Sequence, residues 1–462
     1  MQSMEITNTA IVLGGGLSGI SCAVQLNQMG YHVSLVESRK FLGGRSFSFN
    51  YQSPSEIIDN GQHVVLGCCT YFFEFLDTIE ASQYWESGDI LNISMRDTCG
   101  NKWSLRETKW LFPIHLLPSL LHFPFISYVE RIGIIFALLM AKIQRENYAM
   151  QNESFHDWLK KCRQSDRVIK RFWSVIVKPV FNDGLDNISA SMGVMFIKVA
   201  LLGKRGSSNV FYPTVGLSNC IGKPSEDYLA FVGCDLYLGN SVDSILRNDD
   251  RVSGIRLSNG RVLNSDIVVS ALPYPSLLRV LGNSAIDLEH VSGDISKLRS
   301  SGIINVYLWY KRPLMEEKFC MVVGSPIESI FNRTDITASN HNSDEMIVSD
   351  RRYYCAVLSI GNAQDYMKWN HEEIVVFFTQ ELVRIFADPD LIMPVHSKTI
   401  KQHEATIRCE PGSTEYRPDC MTSLDNFFIA GDWTRTGWPS TMEGAVRSGY
   451  HAAKYVHAVY SA

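Results

Sequence analysis

Three short segments at the start of the chain show two kinds of hydrophobic pattern. Thr9–Leu13 is a continuous apolar run rich in β-branched residues, and it ends in a cluster of glycines. Leu17–Met29 repeats apolar residues at helical spacing and is followed by Gly30, a residue typical of helix C-caps. Tyr31–Glu37 is again strand-like. Together they predict a strand, a glycine turn, a helix and a second strand, which is a βαβ unit.

Later segments of the same character predict that the chain returns to this unit twice. In the first return, alternating strands flank the Asn259-Gly260 turn, which is typical of a hairpin, and a buried strand at Asp266–Ala271 follows. In the second, Asn426–Ala430 predicts a strand that precedes a helix from about residue 440 to residue 460. The segments between the returns are richer in aromatic residues and less regular.

The length of the chain and this order of segments predict two domains. At 462 residues the chain exceeds the size at which a single core is usual. The predicted fold class is α/β, with a discontinuous Rossmann-like cofactor domain and an inserted α+β substrate domain. We assign residues 1–71, 229–276 and 404–462 to the cofactor domain, and residues 72–228 and 277–403 to the substrate domain.

The first glycine cluster has the spacing of a dinucleotide-binding turn. Its residues fit the pattern GxGxxG. The first glycine permits a tight turn, the second lets a pyrophosphate approach the backbone, and the third lets the helix pack close to the strand. The helix N-terminus then offers unpaired N–H groups and the positive end of its dipole to the phosphates. The expected contacts are Gly14, Gly16, Leu17, Ser18 and Gly19.

Glu37 narrows the choice of dinucleotide. It ends the second predicted strand, 18 residues after Gly19. A carboxylate at this position accepts hydrogen bonds from the ribose hydroxyls and repels a 2′-phosphate. The sequence therefore favours FAD or NAD over NADP.

Four further segments favour FAD over NAD. Gly43-Gly44-Arg45 follows the second strand closely, as in flavoproteins in which such an arginine lies beside the pyrophosphate and the flavin. Asp59–His63 (DNGQH) is a polar loop suited to lie against an isoalloxazine ring. Ala430–Trp433 (AGDW) places a carboxylate after a strand, and Thr441–Ala445 opens a helix whose N-terminus suits the electron-rich edge of a flavin. The remaining candidate contacts with FAD are Arg45, Gly61, Gln62, His63, Val242, Gly431, Asp432 and Met442.

Segments in both halves of the chain resemble the flavin amine oxidase and phytoene desaturase superfamily. They are Asp59–His63, Ile303–Arg312, Glu404-Ala405-Thr406 with Arg417-Pro418, and most specifically Ala430–Ala453 (AGDWTRTGWPSTMEGAVRSGYHAA). Within the superfamily the pattern is most similar to the squalene-associated FAD-dependent desaturases, the hydroxysqualene dehydroxylases. This resemblance implies reductive removal of the hydroxyl group of a polyisoprenoid, hydroxysqualene, to give squalene. Residues 174–187, in the predicted substrate domain, depart from the family pattern.

Such a reaction needs an acid for the departing hydroxyl and an electron-rich pocket for the developing cation. His63 and Glu404 are candidates for the acid by chemical type and position in the motifs, and no catalytic residue is assigned. Tyr307, Trp309 and Tyr310 are candidate aromatic faces for the cation, with packing in the core as the alternative for each.

Two other flavin-dependent activities remain open, besides a non-enzymatic flavin-binding protein. One is oxidative desaturation of a carotenoid precursor. The other is amine oxidation, which usually needs an aromatic cage that Trp433 and Trp438 could supply. The donor of electrons to the flavin is not indicated, because no second GxGxxG occurs in the context of an NAD site.

Charge and cysteine content argue against several classes of partner. The formal net charge is -5, without the basic excess that nucleic-acid binding requires. The 11 cysteines lack CxxC or metal-ligand spacing, so we expect reduced thiols and no metal site. The first eight residues show no pattern of a secretory leader, and we expect a cytoplasmic protein.

Two apolar stretches predict peripheral attachment to the cytoplasmic face of a membrane, although neither reaches the roughly 18 residues needed to span one. They are the proline-broken segment Leu111–Phe125 and the run Ile132–Ala141. A basic segment lies nearby, opposed along the sequence only by Asp166. The alternative is that the apolar residues line an internal cavity and the charges form a solvated helix face. The cations are Lys160, Lys161, Arg163, Arg167, Lys170 and Arg171.

Overall fold

The computed structural model describes residues 8–52, 55–87, 91–108, 110, 114–284, 286, 294–338, 353–391 and 393–461. The strands within these residues are β1 (Thr9–Leu13), β2 (His32–Glu37), β3 (Ser48–Gln52), β4 (Ser55–Asp59), β5 (Val65–Leu66), β6 (Trp85–Ser87), β7 (Asn92–Asp97), β8 (Lys102–Arg106), β9 (Val210–Pro213), β10 (Asp235–Leu238), β11 (Val242–Asn248), β12 (Arg251–Leu257), β13 (Val262–Asn264), β14 (Ile267–Ser270), β15 (Ser300–Tyr310), β16 (Phe319–Val323), β17 (Ser329–Asn332), β18 (Tyr354–Ile360), β19 (His396–Ile407) and β20 (Phe427–Ile429). The helices are α1 (Leu17–Gln28), α2 (Thr70–Thr78), α3 (Leu117–Leu121), α4 (Tyr128–Ile143), α5 (Tyr148–Asn152), α6 (Phe155–Lys161), α7 (Asp166–Val168), α8 (Ser174–Phe181), α9 (Ala190–Phe196), α10 (Lys223–Phe231), α11 (Tyr274–Asn283), α12 (Arg333–Ala338), α13 (His371–Phe386) and α14 (Met442–Tyr460).

Five parallel strands form the first sheet, in the order β10-β2-β1-β14-β20. The central strands β1 and β14 are continuous apolar runs because both faces of the sheet are covered. The strands come from three separated parts of the chain, so this domain is discontinuous. The predicted α/β class, with a parallel-sheet core and a second domain, is confirmed.

Helices α1 and α14 pack closely against each other beside this sheet. A Cβ atom on Gly449 of α14 would lie 2.2 Å from Ser21 Oγ of α1, so only glycine permits this approach. Helix α2 also packs against α14, and its Phe72 and Phe75 lie in the core of the parallel-sheet domain. The predicted domain boundary at residue 72 therefore falls inside a helix that contacts the cofactor domain. The predicted hairpin at Asn259-Gly260 joins β12 and β13.

The second sheet has seven strands in the order β19-β15-β18-β17-β16-β7-β8, and only β16 and β7 pair in parallel. Helix α13 covers one face of this sheet, and the β3–β4 hairpin covers the other. Helices α3–α9 form a separate layer with its own apolar core, which also contains Trp438 from the C-terminal motif. No helix in the described part of the chain is long and apolar enough to cross a membrane.

Candidate active site

The glycine turn lies between β1 and α1, where the parallel strands end. Gly14 has a φ of 101°, and its N–H donates to Val36 O at 2.8 Å. A Cβ atom on Gly19 would lie 1.8 Å from Gly14 O, so the turn can close only with glycine at that position. The side of Gly16 is open by contrast, since a Cβ atom there would meet only Gly44 Cα at 3.9 Å. The glycine turn therefore leaves the backbone of Gly16 uncovered by side chains where it faces the loop that contains Gly44.

The first turn of α1 has the features of an anion site. Its N-cap is Gly16, which offers no side-chain cap, and no acidic residue occurs in the first turn. The first N–H groups of the helix, at Leu17 and Ser18, are then available to phosphate oxygens. The Ser18 hydroxyl is hydrogen-bonded to Ser448 of α14. Ser448 also accepts from the Gly431 N–H at 2.9 Å, which joins the two halves of the site.

Glu37 ends β2 beside the glycine turn. Its Oε2 accepts from the Gly15 N–H at 2.7 Å, and its Oε1 accepts from the Arg39 N–H at 2.7 Å. Oε1 also accepts from the Ser38 hydroxyl at 2.9 Å, so Oε2 is the oxygen that keeps a further lone pair for a ribose hydroxyl. The Asn240 N–H donates to Glu37 O at 2.9 Å, so the start of β11, with the half-buried Val242, adjoins the same edge.

Replacing Glu37 with alanine should weaken FAD binding by about 1.5–3 kcal/mol, the scale of a lost charge-assisted hydrogen bond. Titration of the apoprotein with FAD measures the change. Asp235→Ala is the matched control, because Asp235 is an exposed carboxylate on the neighbouring strand β10, where it pairs with His32. Equal FAD affinity in wild type and Glu37→Ala would remove Glu37 from the site.

The Gly43-Gly44-Arg45 loop lies against the glycine turn and reaches the C-terminal motif. The Gly43 N–H donates to Gly15 O at 2.8 Å, and a Cβ atom on Gly44 would lie 2.8 Å from Gly16 Cα. The Arg45 guanidinium donates to Asp432 Oδ2 at 2.6 Å and to Ala405 O at 2.5 Å. The predicted contacts Arg45 and Asp432, which are 387 residues apart, are therefore brought together.

Asp432 lies just after β20 and is buried. Burial raises the pKa of its carboxyl, but Arg45, the Ser440 hydroxyl and Arg417 outweigh it, and the pKa lies below its ordinary value. Arg417 is fully buried and donates to Asp432 O at 2.6 Å and to Trp438 O at 3.2 Å. Asp432 is therefore ionised at neutral pH and held in one position.

The start of α14 borders the same region. Thr441 is the N-cap, and its hydroxyl accepts from the Gly444 N–H at 3.3 Å, so Met442 is the first residue of the helix. Glu443 is turned away, since its carboxylate accepts from the Phe72 N–H and from Arg447, each at 2.7 Å. Glu443 thus caps α2, and the first N–H groups of α14 are the part of this helix predicted to face the cofactor.

The loop at residues 59–63 is anchored by a buried ion pair. Arg333 donates to Asp59 Oδ2 at 2.7 Å and to Gln62 Oε1 at 3.3 Å, and the side chains of Arg333 and Asp59 are almost fully buried. Gly61 has a φ of 147° and approaches Asn305. Within the described residues, Gln62 Nε2 is buried without a hydrogen-bond partner, so it can donate to a bound group.

His63 is partly buried at the end of this loop, with Nδ1 2.8 Å from Gly61 O. A carbonyl can only accept, so Nδ1 carries the proton. Burial lowers the pKa of the imidazole more than Gly61 and Asp59 raise it. The neutral ring then has a bare Nε2, which accepts a proton more readily than it donates one. Glu404, the other candidate acid, lies exposed on β19.

The three aromatic candidates on β15 do not share one pocket. Successive residues of a strand point to opposite faces. Tyr307 and Trp309 pack under the β3–β4 hairpin, where the Tyr307 hydroxyl donates to Asp59 O at 3.0 Å. Tyr310 packs under α13 on the other face. The interpretation of all three as faces for one cation is therefore wrong, and Tyr310 is a core residue.

Trp433 and Trp438 do not form an aromatic cage. The Trp433 indole is fully buried and donates to Leu272 O at 3.1 Å. Trp438 is buried under Arg447, whose guanidinium carbon lies 4.2 Å from the ring centroid. Arg447 also stacks on Tyr71 at 4.7 Å. A cage needs a free face from each ring, and the Trp433 ring is enclosed in the apolar core of the parallel-sheet domain.

The residues of this site fit FAD. The open side of Gly16 and the uncapped start of α1 suit a pyrophosphate, and the unsatisfied Gln62 Nε2 lies in the loop predicted to contact the flavin. Glu37 and Asp432 lie at the two ends of a series of contacts that runs from the glycine turn through the Gly43-Gly44-Arg45 loop. A parallel sheet with these features defines a flavin-type dinucleotide-binding oxidoreductase. The roles of the individual residues remain predictions.

The chain belongs to the family of flavin containing amine oxidoreductases, whose model matches residues 17–457. Its cofactor is FAD. It is 24% identical to a 15-cis-phytoene desaturase from Synechococcus elongatus, over 96% of this chain and 95% of that protein. It is also 24% identical to a hydroxysqualene dehydroxylase from Rhodopseudomonas palustris, over 98% and 99% of the two chains. Cyclohexylamine oxidase from Brevibacterium oxydans has the same fold, with a TM-score of 0.63, 18% identity and coverage of 98% and 100%.

Proposed function

We propose that this FAD-dependent oxidoreductase removes the hydroxyl group of hydroxysqualene to give squalene. The observation that carries the proposal is the block Ala430–Ala453, which matches the pattern of the hydroxysqualene dehydroxylases and supplies Asp432 and the start of α14 to the site. The relative with that name aligns over nearly the whole of both chains.

Two features favour a polyisoprenoid over an amine as substrate. Amine oxidation usually needs an aromatic cage, and the Trp433 and Trp438 rings are packed against Leu272 and Arg447 instead. The helical layer α3–α9 contributes a large apolar core next to the C-terminal motif, through Trp438. The same layer holds an apolar cavity of about 100 Å³, and a hydrocarbon substrate needs apolar walls of this kind.

The reaction replaces a C–O bond with a C–H bond, takes up two electrons and two protons, and releases water. Reduced FAD supplies the electron pair when it is bound. The chain holds the cofactor through the loops described above and carries a neutral His63 with Nε2 free to take up or relay a proton. The electron donor that reduces the cofactor is not assigned.

Oxidative desaturation of a carotenoid precursor is the second candidate. It is supported by 24% identity to phytoene desaturase over nearly the whole of both chains. Desaturation oxidises the substrate, which loses two electrons to oxidised FAD, whereas dehydroxylation reduces it. The two candidates therefore predict opposite changes in the flavin.

An anaerobic assay of flavin absorbance separates them. Chemically reduced enzyme mixed with hydroxysqualene in detergent should regain the absorbance of oxidised flavin and form squalene in equal amount. Reduced enzyme mixed with squalene is the matched control and should stay reduced. Bleaching of the oxidised enzyme by phytoene or by putrescine, with no response to hydroxysqualene, would replace the proposal with desaturation or amine oxidation.

A further inference from the structure

Helix α4 presents one face of large apolar side chains to solvent. At 3.6 residues per turn the six positions fall within an arc of about 100°, while Ile134, Ala137 and Ala141 are buried on the opposite side. A contiguous exposed apolar surface on a folded protein marks an interaction site. The six residues, each 47–79% exposed, are Tyr128, Val129, Ile132, Phe136, Leu139 and Ile143.

The helix does not depend on a partner for its own stability. It begins with a capping box, in which the Ser127 hydroxyl accepts from the Glu130 N–H and the Glu130 carboxylate accepts from the Ser127 N–H. Its buried side packs on α3 and on residues 197–201. The apolar face is therefore a persistent surface of the folded protein.

The basic segment borders the N-terminal half of this face. Gln164 Nε2 donates to Gly133 O at 2.9 Å, and the Ser165 hydroxyl donates to Glu130 at 2.6 Å, so the segment lies alongside α4. Arg167 and Arg171 each donate to Phe125 O at 3.3 Å.

Two of the six cations in this segment are neutralised by neighbours. Lys160 pairs with Asp166, and Lys161 pairs with Glu153. The expectation that only Asp166 opposes the basic segment is therefore wrong, because the fold brings in Glu153 from the connection between α5 and α6. Among the described residues no ion pair is found for Arg163, Arg167, Lys170 or Arg171.

An apolar cavity of about 100 Å³ lies on the other flank of α4. Leucine and isoleucine side chains such as Leu120, Ile135 and Ile176 line it, and Lys142 is the one charged residue among its walls. Leu139 and Lys142 are exposed, so the cavity meets the surface beside the apolar face. An apolar cavity of about 150 Å³ holds a benzene molecule, and this one suits the end of a hydrocarbon chain.

The proline-broken stretch contributes to this cavity and not to the exposed face. Its residues 111–113 lie outside the described residues. Leu116, Leu120, Phe123 and Phe125 are buried, because the short helix α3, with Pro118 in its first turn, packs against α4. The expectation that this stretch itself docks on a membrane is wrong for these four residues.

We propose that the apolar face of α4 docks on a lipid bilayer with anionic headgroups and lies parallel to its surface. A fluid hydrocarbon layer accommodates a smooth apolar helix face, and the adjoining cations suit anionic lipids. The cavity is then the entry point for a substrate dissolved in the bilayer, and this part rests on the proposed function. Each CH₂ group of a C30 hydrocarbon adds to the cost of moving it through water, so uptake from the bilayer is required.

The test is flotation of the FAD-loaded protein with phosphatidylcholine vesicles that contain or lack phosphatidylglycerol. Ile132→Asp with Phe136→Asp changes the face without touching the cavity. Phe231→Asp is the matched control, since Phe231 is 89% exposed at the end of α10 in the other domain. Wild type and the control should float with phosphatidylglycerol at low salt and less at high salt, and the double variant should partition at least about tenfold more weakly.

Failure of wild type to float, or equal flotation of the double variant, overturns the proposal. A wild-type dimer that the double variant dissociates, without flotation of either, assigns the face to a second copy of the chain instead. Flotation requires neither substrate nor turnover. Docking can therefore fail while the enzyme still acts on hydroxysqualene in detergent, and it can hold while that activity is absent.

Discussion

Asp432→Ala should lose most of its FAD, with affinity lowered roughly a hundredfold, or about 3 kcal/mol. The carboxylate is buried and accepts from Arg45 and from the Ser440 hydroxyl, so its removal leaves the Arg45 guanidinium without its partner beside the cofactor loops. Breaking a fully buried pair costs about 3–5 kcal/mol. We take the lower end because the Arg45 side chain is 45% exposed.

Asp266→Ala is the matched control for this variant. Asp266 also lies next to a strand of the parallel sheet, where its carboxylate accepts from the Thr9 N–H at 2.9 Å and from the Thr9 hydroxyl at 2.8 Å. Its loss should lower stability and leave FAD bound. The ratio of flavin to protein absorbance, with circular dichroism to verify folding, measures both variants. Equal loss of FAD from two folded variants would show that the C-terminal half of the site is misplaced.

The sign of the Asp432 pKa shift adds a pH dependence. A carboxyl whose pKa is lowered in the folded protein contributes stability above its unfolded pKa and loses that contribution only as pH falls through the folded value. Wild-type FAD retention should therefore be insensitive to pH near neutrality and should decline only below the ordinary range of an aspartic acid.

The parallel-sheet domain could be predicted from the sequence because its signals are local. Continuous apolar runs, a glycine turn and a helical repeat lie within 30 residues of one another, and the observed β1, α1 and β2 differ from the predicted segments by one residue at most. The return of the chain to this sheet near the C-terminus could also be predicted, since the apolar strand β20 lies just before Gly431 and Asp432. The larger sheet was not, because its strand order joins segments hundreds of residues apart.

The difference between local signals and long-range contacts also decides which residues of the site could be predicted. Glu37 and Asp432 stand next to strand ends, where the sequence marks them. Arg333 lies outside any motif, and Arg417 belongs to a motif that does not indicate its partner, so only the fold brings them to Asp59 and Asp432. Arg333 directly follows the buried strand β17, and this position at a strand end is the one signal that could have identified it.

Arg333→Met should destabilise the protein by about 3–5 kcal/mol, because it leaves the Asp59 carboxylate buried without its counter-charge. Arg333 makes the ion pair with Asp59, donates to Ile57 O at 2.8 Å, and is 3% exposed at its side chain. The free energy of unfolding in urea, measured on FAD-loaded protein, gives the change. Since Gln62 also accepts from Arg333, the flavin absorbance spectrum should shift as well.

Arg312→Met is the control for this variant, since Arg312 pairs with Asp388 at the surface, where such a pair contributes at most about 1 kcal/mol. Adding Asp59→Asn to Arg333→Met should recover part of the lost stability, because the uncompensated charge is removed. Asp59 Oδ1 also accepts from the Ser48 hydroxyl and from the Leu217 N–H, so recovery should be incomplete. A destabilisation by Arg333→Met no larger than that of Arg312→Met would mean that the ion pair does not anchor the loop at residues 59–63.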